Sequence, residues 1–420
     1  MKVLVVGGGG REHAILYKLA QSEKVSKLYC VPGNFGIQKI AEPVPLKVMD
    51  KEGILKFSKE NKIDMVVVSP DDPLAAGMVD YLEEGGIRAF GPYKNAAKIE
   101  SSKVYAKDLM KKYNIPTAEY EVFDDSASAI SFIKEMGKYP VVIKAEGLAL
   151  GKGVIIAEDY DSAKEAVTSM IDDKKFGTSG SRVVIEEYLT GPEVTVLAFT
   201  DGNTICPMVS SQDHKRAYDN DEGPNTGGMG AFSPSPIYTE EIADLCMENI
   251  FIPTIQALKQ EGVVYKGVIY FGLMITEEGP KVIEYNARFG DPEAQCILAR
   301  LDSDLYEIFD SIIEGKLDSI EIRWKKEKAC CVVLASGGYP GKYETGYEIF
   351  GIEQAEKAGA IVFHAGTSGT DKCVTSGGRV LGVTALGSTL NNAILRAYKA
   401  AAYINFKDMY YRKDIGRKMV

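Results

Sequence analysis

The stretch PVVIKAEGLALGKGVIIA, residues 140–157, sets the fold of the middle of this chain. Two apolar runs, 141–143 and 154–157, flank a loop rich in glycine, and this pattern predicts a β-hairpin. A P-loop needs a helix directly after Gly-Lys-Ser/Thr, so this segment is not one. We interpret the hairpin as a flap over phosphate groups, with Lys144 as a point charge. A plain hairpin with solvated lysines is the alternative, and for Lys152 the two interpretations have equal support.

Residues 1 to 100 alternate between short apolar strands and amphipathic helices. Strands are predicted at 3–6, 28–31, 65–69 and 88–90, and helices at 12–21, 51–62 and 74–84. This rhythm predicts an open parallel sheet with a ligand cleft at the carboxyl ends of its strands. Three loops follow strands and should lie together at that edge: 7–10, 32–34 and 70–73.

The loop at 7–10 does not have the pattern of a nicotinamide-dinucleotide site. Glu12 stands where a third glycine is expected, and no carboxylate lies near 28–30 to bind a ribose. The loop is still suited to hold a phosphate at the N-terminus of the helix that begins near Arg11.

A polar and cationic stretch, Asp213-His214-Lys215-Arg216, is followed by the glycine-dense run GPNTGGMG at 223–230. Backbone N–H groups in such a loop can point at an anion, and Lys and Arg add charge. We predict a site for a small anionic ligand, with a flexible surface loop as the alternative. His214 is interpreted as a structural hydrogen-bonding residue in preference to a general base.

The second dense polar segment, EYNARFGDPE at 284–293, follows a strand-like run. Glu284 and Asn286 are two residues apart, so in a strand they share one face. Two oxygen donors on one face suit Mg²⁺, and Arg288 continues the alternation towards a phosphate. A solvated sheet rim is the alternative.

Further elements complete the prediction. One helix is predicted at 96–113, strands at 182–189, 268–276 and 281–285, and a final helix at 390–403. The end of the strand at 182–189 can offer backbone groups to an adenine edge and a carboxylate to ribose hydroxyls, with solvent-facing acids as the alternative. A separate β-rich unit is predicted from about 328.

Composition excludes several classes of protein. The 420 residues carry a formal net charge of −10, which disfavours nucleic-acid binding. No apolar run reaches the length of a membrane span, and the N-terminal apolar run is too short for a signal peptide. The seven cysteines lack Cys-x-x-Cys spacing, so a disulfide framework or zinc site is not expected.

In order, these motifs resemble the ATP-grasp superfamily and, within it, the phosphoribosylamine–glycine ligase family (glycinamide ribonucleotide synthetases). The resemblance covers the chain almost end to end, through GGREH, PGN, GKG, EEYL, QDHKR, GPNTGGMGA, RFGDPE, GGYPG, FHAGT, GGRV and RKDIG. QDHKR with GPNTGGMG is highly specific to this family, whereas the flap alone indicates only ATP-grasp.

The resemblance implies an ATP-dependent carboxylate–amine ligase of de novo purine biosynthesis. ATP would phosphorylate the carboxylate of glycine, and the amine of 5-phosphoribosylamine would attack the glycyl phosphate to form glycinamide ribonucleotide. Catalysis would rest on positioning and on charge neutralisation by Mg²⁺ (or Mn²⁺), Lys and Arg, without a nucleophilic Ser or Cys. A cytoplasmic monomer that binds neither nucleic acid nor membrane is expected.

The resemblance also implies roles for individual residues. Catalytic roles fall to Lys144, Asp213 and Arg288, and metal binding to Glu284 and Asn286. The ATP site would contain Lys103, Lys144, Gly151, Lys152, Gly153, Glu186, Glu187, Tyr188, Leu189 and Glu193. The substrate pockets would contain Gly9, Gly33, Asn34, Asp71, Asp213, Lys215, Arg216, Asn225, Thr226, Arg288 and Asp291.

The chain departs from the usual family pattern in four places. Asp71 replaces a Glu, Glu146 an Asp, Leu150 an Ala and Pro192 a Glu. These changes bear on substrate affinity and flap closure, so a ligase with a different acid or amine is the second hypothesis. A non-catalytic nucleotide-binding protein is the third, and the intact Lys144, Glu284, Asn286 and Arg288 argue against it.

The predicted fold is an α/β and α+β multidomain protein. An N-terminal open parallel α/β domain covers 1–100. A split ATP-grasp core covers 101–120 and 188–326, with a flap subdomain at 121–187, and a C-terminal β-rich domain covers 327–420.

Overall fold

The N-terminal residues form the predicted parallel sheet. In the computed structural model, which describes residues 1–148 and 153–417, the strand order is Glu42–Pro43, Lys27–Pro32, Lys2–Gly7, Met65–Val68 and Ala89–Phe90, with parallel neighbours. Lys2–Gly7 is central, so chain connections leave it towards both sides. The carboxyl ends of Lys2–Gly7 and Met65–Val68 therefore flank a crevice of the kind that binds ligands in such sheets.

Two helices predicted as continuous are divided in the structure. The helix predicted at 74–84 is present as Asp71–Ala75 and Met78–Glu84, because Gly77 adopts φ +76° between them. The helix predicted at 96–113 is present as Lys94–Ser101 and Lys103–Lys112. Ser102 is extended and its hydroxyl accepts from the N–H of Tyr105, so it caps the second helix.

The central region is an antiparallel sheet. Its strand order is Ile205–Pro207, Glu193–Thr200, Gly267–Thr276 and Gly279–Asn286. Phe251, Phe271 and Tyr285 belong to the core between this sheet and its neighbours. The helices of this region are Glu240–Cys246, Ile252–Gln260, Glu293–Arg300 and Leu305–Glu314, with a π-helical segment at Met247–Phe251.

The predicted hairpin is confirmed within a four-stranded antiparallel sheet. The order is Tyr120–Phe123, Val183–Glu187, Val141–Ala145 and Val154–Ala157. Helices Ser126–Met136 and Tyr160–Ile171 pack on it through Ala, Val and Ile side chains.

The C-terminal region is β-rich, as predicted, and its sheet also includes two strands from earlier in the chain. Its five-stranded sheet has the order Gln212–Asp213, Gly230–Ser233, Lys328–Ala335, Arg379–Gly387 and Ile361–His364. Two of these strands come from the polar segment before residue 234. Gly230–Ser233 pairs with Lys328–Ala335, and Gln212–Asp213 pairs in turn with Gly230–Ser233. Residues 213–229, which we call the substrate loop because their sequence predicts a site for a small anionic ligand, thus begin and end at this sheet.

Smaller elements complete the fold. Helices Ile352–Lys357 and Leu390–Ala401 cover the C-terminal sheet. Two hairpins pair Arg216–Tyr218 with Glu222–Asn225 and Thr367–Ser368 with Val374–Thr375. Short 3₁₀ turns occur at Ile37–Lys39, Gly177–Gly180, Asp219–Asp221 and Leu317–Ser319. None of the helices in the described part of the chain is long and apolar enough to cross a bilayer.

Candidate active site

The edge strand Gly279–Asn286 ends with the two predicted metal ligands. Glu284 and Asn286 flank Tyr285, which is buried and whose hydroxyl lies 2.9 Å from that of Thr254. Because side chains alternate along a strand, Glu284 and Asn286 project from the face opposite the core. The sheet thus presents two oxygen-bearing side chains side by side.

A β-bulge at Ile283 interrupts the pairing of this strand with Gly267–Thr276. The carbonyl oxygen of Ile283 accepts a hydrogen bond from Nζ of Lys144 at 3.0 Å. Bulges re-aim backbone groups near functional sites, and this one connects the flap hairpin to the strand of Glu284.

Four cations surround Glu284 electrostatically. Burial acts to raise the pKa of Glu284, but Lys215, Lys144, Lys103 and Arg288 together hold it below its ordinary value. The carboxylate is therefore ionised at neutral pH. All four cations were predicted for phosphate or substrate contacts, and the fold brings them around a single acidic residue.

Glu186 lies at the centre of a buried ion-pair triad. Its Oε2 atom is 3.0 Å from Nζ of both Lys144 and Lys107, and all three side chains are at most 5% exposed. The other carboxylate oxygen, Oε1, is buried without a hydrogen-bond partner. Burial lowers the pKa of Lys107 to about 8, against the effect of Glu186. A buried oxygen without a donor is costly, so Oε1 is suited to accept from a ligand.

Lys103 joins the flap to the central region. Its N–H donates to the carbonyl of Glu146 and its Nζ to that of Gly147, both at 3.0 Å. Burial, assisted by Lys144, lowers the pKa of Lys103. The Glu146 carboxylate accepts from Arg182 at 2.7 Å, so this departure from the family pattern is satisfied by a partner within the flap.

The loop of the flap lies partly outside the described residues. This applies to Gly151 and Lys152, predicted to contact ATP, and to the bulky Leu150. Gly153 is described, and its carbonyl accepts from the N–H of Ala145 at 2.8 Å.

The strand Val183–Glu187 leads into the segment predicted to meet adenine. Glu187 accepts from the N–H of Glu119 at 3.1 Å. Tyr188 is 40% exposed and Leu189 is half-buried. The backbone of this segment follows the end of the strand that carries Glu186.

Residues within the substrate loop hydrogen-bond to one another. The Thr226 hydroxyl donates to the Lys215 carbonyl at 2.8 Å, and Arg216 pairs with Asn225 across the small hairpin. Nζ of Lys215 contacts Oε2 of Glu193 at 2.6 Å, which joins the substrate loop to the predicted ribose-binding residue.

Asp213 stands at the base of the substrate loop with a raised pKa. Burial, with Glu293 and Glu193 adding to it against Lys215, raises the pKa of Asp213 to about 7. Glu293 accepts from the hydroxyl of Tyr270 at 3.0 Å, and burial raises its pKa as well. Asp213 is thus able to gain or lose a proton near neutral pH.

Arg288 is oriented by Glu100, a residue that the sequence analysis missed. One Glu100 oxygen contacts Nη2 of Arg288 at 2.8 Å, and the other accepts from the N–H of Ala287 at 2.8 Å. Nε of Arg288 is buried without a partner. Glu100 lies on the same buried face of its helix as Ala96 and Ala97. An acidic residue within an apolar helix face could have indicated from the sequence that Glu100 has a buried partner.

Asp291 connects the three regions of the chain. It accepts from the N–H of Arg11 at 3.3 Å and from Gln295 at 2.8 Å, and it lies 3.4 Å from Arg379. Burial acts to raise the pKa of Asp291, but Arg379 and Arg11 hold it below its ordinary value. Arg379 also donates to the carbonyl of Gly227 at 2.6 Å, so it holds the substrate loop as well.

The N-terminal loops lie together at one sheet edge, as predicted. The side-chain amide of Asn34 donates to the carbonyls of Gly8 and His364 at 2.9 and 2.8 Å, so it connects the loops that contain these two residues. Gly33 adopts φ +80°, which glycine tolerates best. The N–H of Gly9 donates to the Glu12 carboxylate at 2.6 Å. One backbone donor at the helix N-terminus that was predicted to hold a phosphate is therefore already used by Glu12.

Asp71 is half-buried at the first turn of its helix. Together with Glu100 it raises the pKa of Arg288 against burial, which acts to lower it. This N-terminal acid therefore acts electrostatically on the central site.

The remaining missed residues are Lys107 and Arg379. Lys107 follows Lys103 by four residues, so both lie on one helix face, and this spacing was a usable signal. Arg379 belongs to the motif GGRV, but its contacts 88 to 152 residues away are not visible locally.

Family models match almost the whole chain. The phosphoribosylglycinamide synthetase N domain matches residues 1–100, the ATP-grasp (A) domain residues 101–294 and the C domain residues 329–418. The chain belongs to the phosphoribosylglycinamide synthetase family. The family prediction is confirmed, and with it the ATP-grasp fold.

Individual relatives agree with the family models. A phosphoribosylamine–glycine ligase of Caldanaerobacter subterraneus subsp. tengcongensis is 51% identical over 99% of both chains. The trifunctional purine biosynthetic protein adenosine-3 of Gallus gallus is 48% identical over 100% of this chain and 42% of its own length. The crystal structure of the Thermotoga maritima phosphoribosylamine–glycine ligase superposes with a TM-score of 0.85 at 34% identity, covering 99% of this chain and 100% of that one.

More distant structures share the fold alone. The biotin carboxylase domain of the Hydrogenobacter thermophilus 2-oxoglutarate carboxylase, solved with MgADP, has a TM-score of 0.73 at 16% identity, covering 98% of this chain and 91% of that one.

Proposed function

We propose that this protein joins glycine to 5-phosphoribosylamine at the expense of ATP, forming glycinamide ribonucleotide, ADP and phosphate. The observation that carries the proposal is the position of Glu284, which lies beside Asn286 on one strand and near four cations, Lys103, Lys144, Lys215 and Arg288. Membership of the phosphoribosylglycinamide synthetase family along almost the whole chain supports the same reaction.

Glu284 and Asn286 fit a divalent cation such as Mg²⁺ or Mn²⁺. An ionised carboxylate and an amide oxygen are ligands that Mg²⁺ accepts, and Mg²⁺ commonly completes its coordination with waters and substrate phosphates. The described residues contain no group of three or more His, Cys, Asp or Glu side chains placed to bind a metal ion. When bound, the metal ion would supply Lewis-acid neutralisation of phosphate charge.

Phosphoryl transfer to glycine needs positioning and positive charge more than covalent chemistry. Lys103 and Lys144 would hold the phosphates of ATP, and Arg288, whose Nε is buried without a partner, would face the transferring group. Burial raises the pKa of cysteine thiols such as Cys30 and Cys330, which disfavours their use as thiolate nucleophiles. These features favour the glycyl phosphate route, in which no enzyme side chain forms a bond to the substrate.

The amine of phosphoribosylamine then attacks the carbonyl carbon of glycyl phosphate, the C–O bond to phosphate breaks, and an amide forms. The attacking nitrogen must lose a proton. Asp213, with a pKa of about 7, is suited to take it, while Lys215 and Arg216 beside it favour an anionic substrate. Asn225, Thr226 and Asp291 would shape the same pocket.

Adenine would lie against the segment 186–189. Glu186 Oε1 is a buried acceptor without a donor, and the 6-amino group of adenine is a donor. Glu193 would accept from ribose hydroxyls; in the structure its Oε2 atom contacts Nζ of Lys215.

The test is ADP release with ATP, Mg²⁺, glycine and freshly generated phosphoribosylamine, each omitted in turn. The proposal predicts ADP only with the complete mixture, together with a product of the mass of the amide. ADP release with another acid or amine but not with glycine would move the specificity elsewhere within ATP-grasp. Tight ATP binding without turnover under every combination would instead indicate a non-catalytic nucleotide-binding protein.

A further inference from the structure

Arg412 is the largest side chain that is fully buried in the described structure, and its partners lie far away in sequence. Its Nη1 donates to the carbonyl of Arg216 at 3.0 Å, and its Nη2 to Asp221 at 2.9 Å. Nε and Nη2 also contact the two oxygens of Asp414 at 2.8 and 2.7 Å. The guanidinium group is 0% exposed and thus spans the C-terminal segment and the substrate loop.

Neighbouring residues of the C-terminal segment continue this contact. The N–H of Lys413 donates to Asp219 at 2.7 Å, and Asp414 accepts from the N–H of Asn220 at 2.9 Å. The N–H of Gly416 donates to Nε2 of His214 at 3.3 Å. We call residues 412–416 the clasp, since they hold the turn of the hairpin in the substrate loop and the residues at the start of its first strand.

The clasp is itself anchored on the C-terminal region. The hydroxyl of Tyr398, in helix Leu390–Ala401, donates to the carbonyl of Arg412 at 2.8 Å and accepts from the N–H of Ile415 at 3.0 Å. Just before the clasp, Tyr410 exchanges backbone hydrogen bonds with Ala335 at 2.9 and 3.0 Å. A fixed support on one side is what allows the clasp to position the substrate loop on the other.

The held part of the loop contains two residues in a backbone conformation that is costly for side chains other than glycine. Asn220 and Asp221 have φ values of +61° and +59°, in the left-handed region that side chains other than glycine adopt at a cost. A buried guanidinium costs desolvation unless its donors are satisfied, and here loop and clasp carboxylates together satisfy it. Loop geometry and clasp therefore depend on each other.

We propose that Arg412 is a positioning residue for the substrate loop: by holding the Arg216 carbonyl and Asp221, it keeps Asp213, Lys215 and Arg216 in the geometry that binds glycine and phosphoribosylamine. Arg412 does not touch a substrate in this proposal. The inference rests on the proposed function, because it assigns the loop to those two substrates.

The test compares Arg412→Ala with Arg396→Ala in the complete reaction. Arg396 is exposed in the same region and donates to the Leu386 carbonyl at 3.2 Å, so it is a matched control. For Arg412→Ala we expect the KM of glycine or phosphoribosylamine to rise about tenfold or more while the KM of ATP stays within about twofold. Millimolar guanidinium or ethylguanidinium should restore that KM, because the buried site would bind the missing group. The Arg396 variant should match wild type.

A purely structural role makes different predictions. A lower melting temperature with all KM values unchanged would overturn the proposal, as would equal losses for all three substrates without rescue by guanidinium. Should Arg412→Ala not fold, Asp221→Asn gives a milder version, with the same selective rise in KM expected and unchanged KM values counting against the proposal. If wild type forms no amide from glycine and phosphoribosylamine, the proposed function fails, and this inference falls with it.

Discussion

Replacing Lys107 with Met tests how the buried Glu186 is used. Lys107 donates to Glu186 Oε2 at 3.0 Å, to the Thr117 hydroxyl at 2.9 Å and to the Ala118 carbonyl at 3.2 Å. Met has a similar length without the charge. Lys144 stays 3.0 Å from the same oxygen, so the carboxylate keeps one cation, but it becomes free to turn Oε1 towards that cation.

The size of the effect follows from these contacts. The substitution removes one charge-assisted hydrogen bond, worth about 1.5–3 kcal/mol. This bond holds Glu186 in the orientation that leaves Oε1 free to accept from adenine. If that energy is lost from ATP binding, the KM of ATP rises roughly 10- to 100-fold, since each 1.4 kcal/mol is a factor of ten. Guanine presents an acceptor where adenine has its 6-amino donor, so GTP gains nothing from Oε1. The preference for ATP over GTP should therefore decrease in the Lys107 variant.

The assay is steady-state ADP or GDP release at saturating glycine and phosphoribosylamine. Lys111→Met is the matched control, because Lys111 is exposed and lies one turn later on the same helix. Its Nζ is 5.4 Å from the ring centroid of Tyr120, and that of Lys107 is 5.5 Å from it. An unchanged KM for ATP with unchanged nucleotide preference in Lys107→Met would refute the assignment of Oε1 to adenine.

Three further predictions concern other parts of the molecule. Glu284→Ala should lower turnover roughly a thousandfold while circular dichroism melting stays close to wild type, since metal-ion stabilisation is worth several kcal/mol and this side chain lies outside the core; near-wild-type activity would refute the metal assignment. Glu100→Gln should lower kcat roughly tenfold in the same assay through loss of a charge-assisted bond to Arg288, and a wild-type kcat would contradict that role. Burial, with Lys39, lowers the pKa of His13 to about 4, and burial with His13 and Lys39 lowers that of His364 to about 3, from 6.5. Between pH 6.5 and 4 the unfolded chain therefore binds more protons, so the free energy of unfolding should fall as pH decreases; denaturant melts of His13→Gln should show a smaller pH slope, and an equal slope would count against it.

Local patterns were sufficient for several elements. The hairpin at 141–157 and the parallel sheet were predictable because strand periodicity and glycine-containing loops act over a few residues. The strand that carries Glu284 and Asn286 was predictable for the same reason. Family motifs added the reaction, since QDHKR and GPNTGGMG identify the ligase family without any knowledge of contacts.

Breaks within helices were harder to predict. The division at Ser102 depends on a capping hydroxyl and on the Glu146 carbonyl, which accepts from the N–H of Lys103. Apolar periodicity continues across that point, so the pattern alone favours one helix. A tertiary contact with the flap accompanies the break.

The sequence by itself determined the order of strands and helices, the family and the chemical types available at the site. Only the tertiary structure decided which charges meet: Lys107 with Glu186, Glu100 with Arg288, and Arg412 with the substrate loop 191 to 196 residues away. The physical reason is that backbone periodicity and turn preferences are local, whereas the partner of a buried charge is fixed by desolvation and by long-range packing of distant segments.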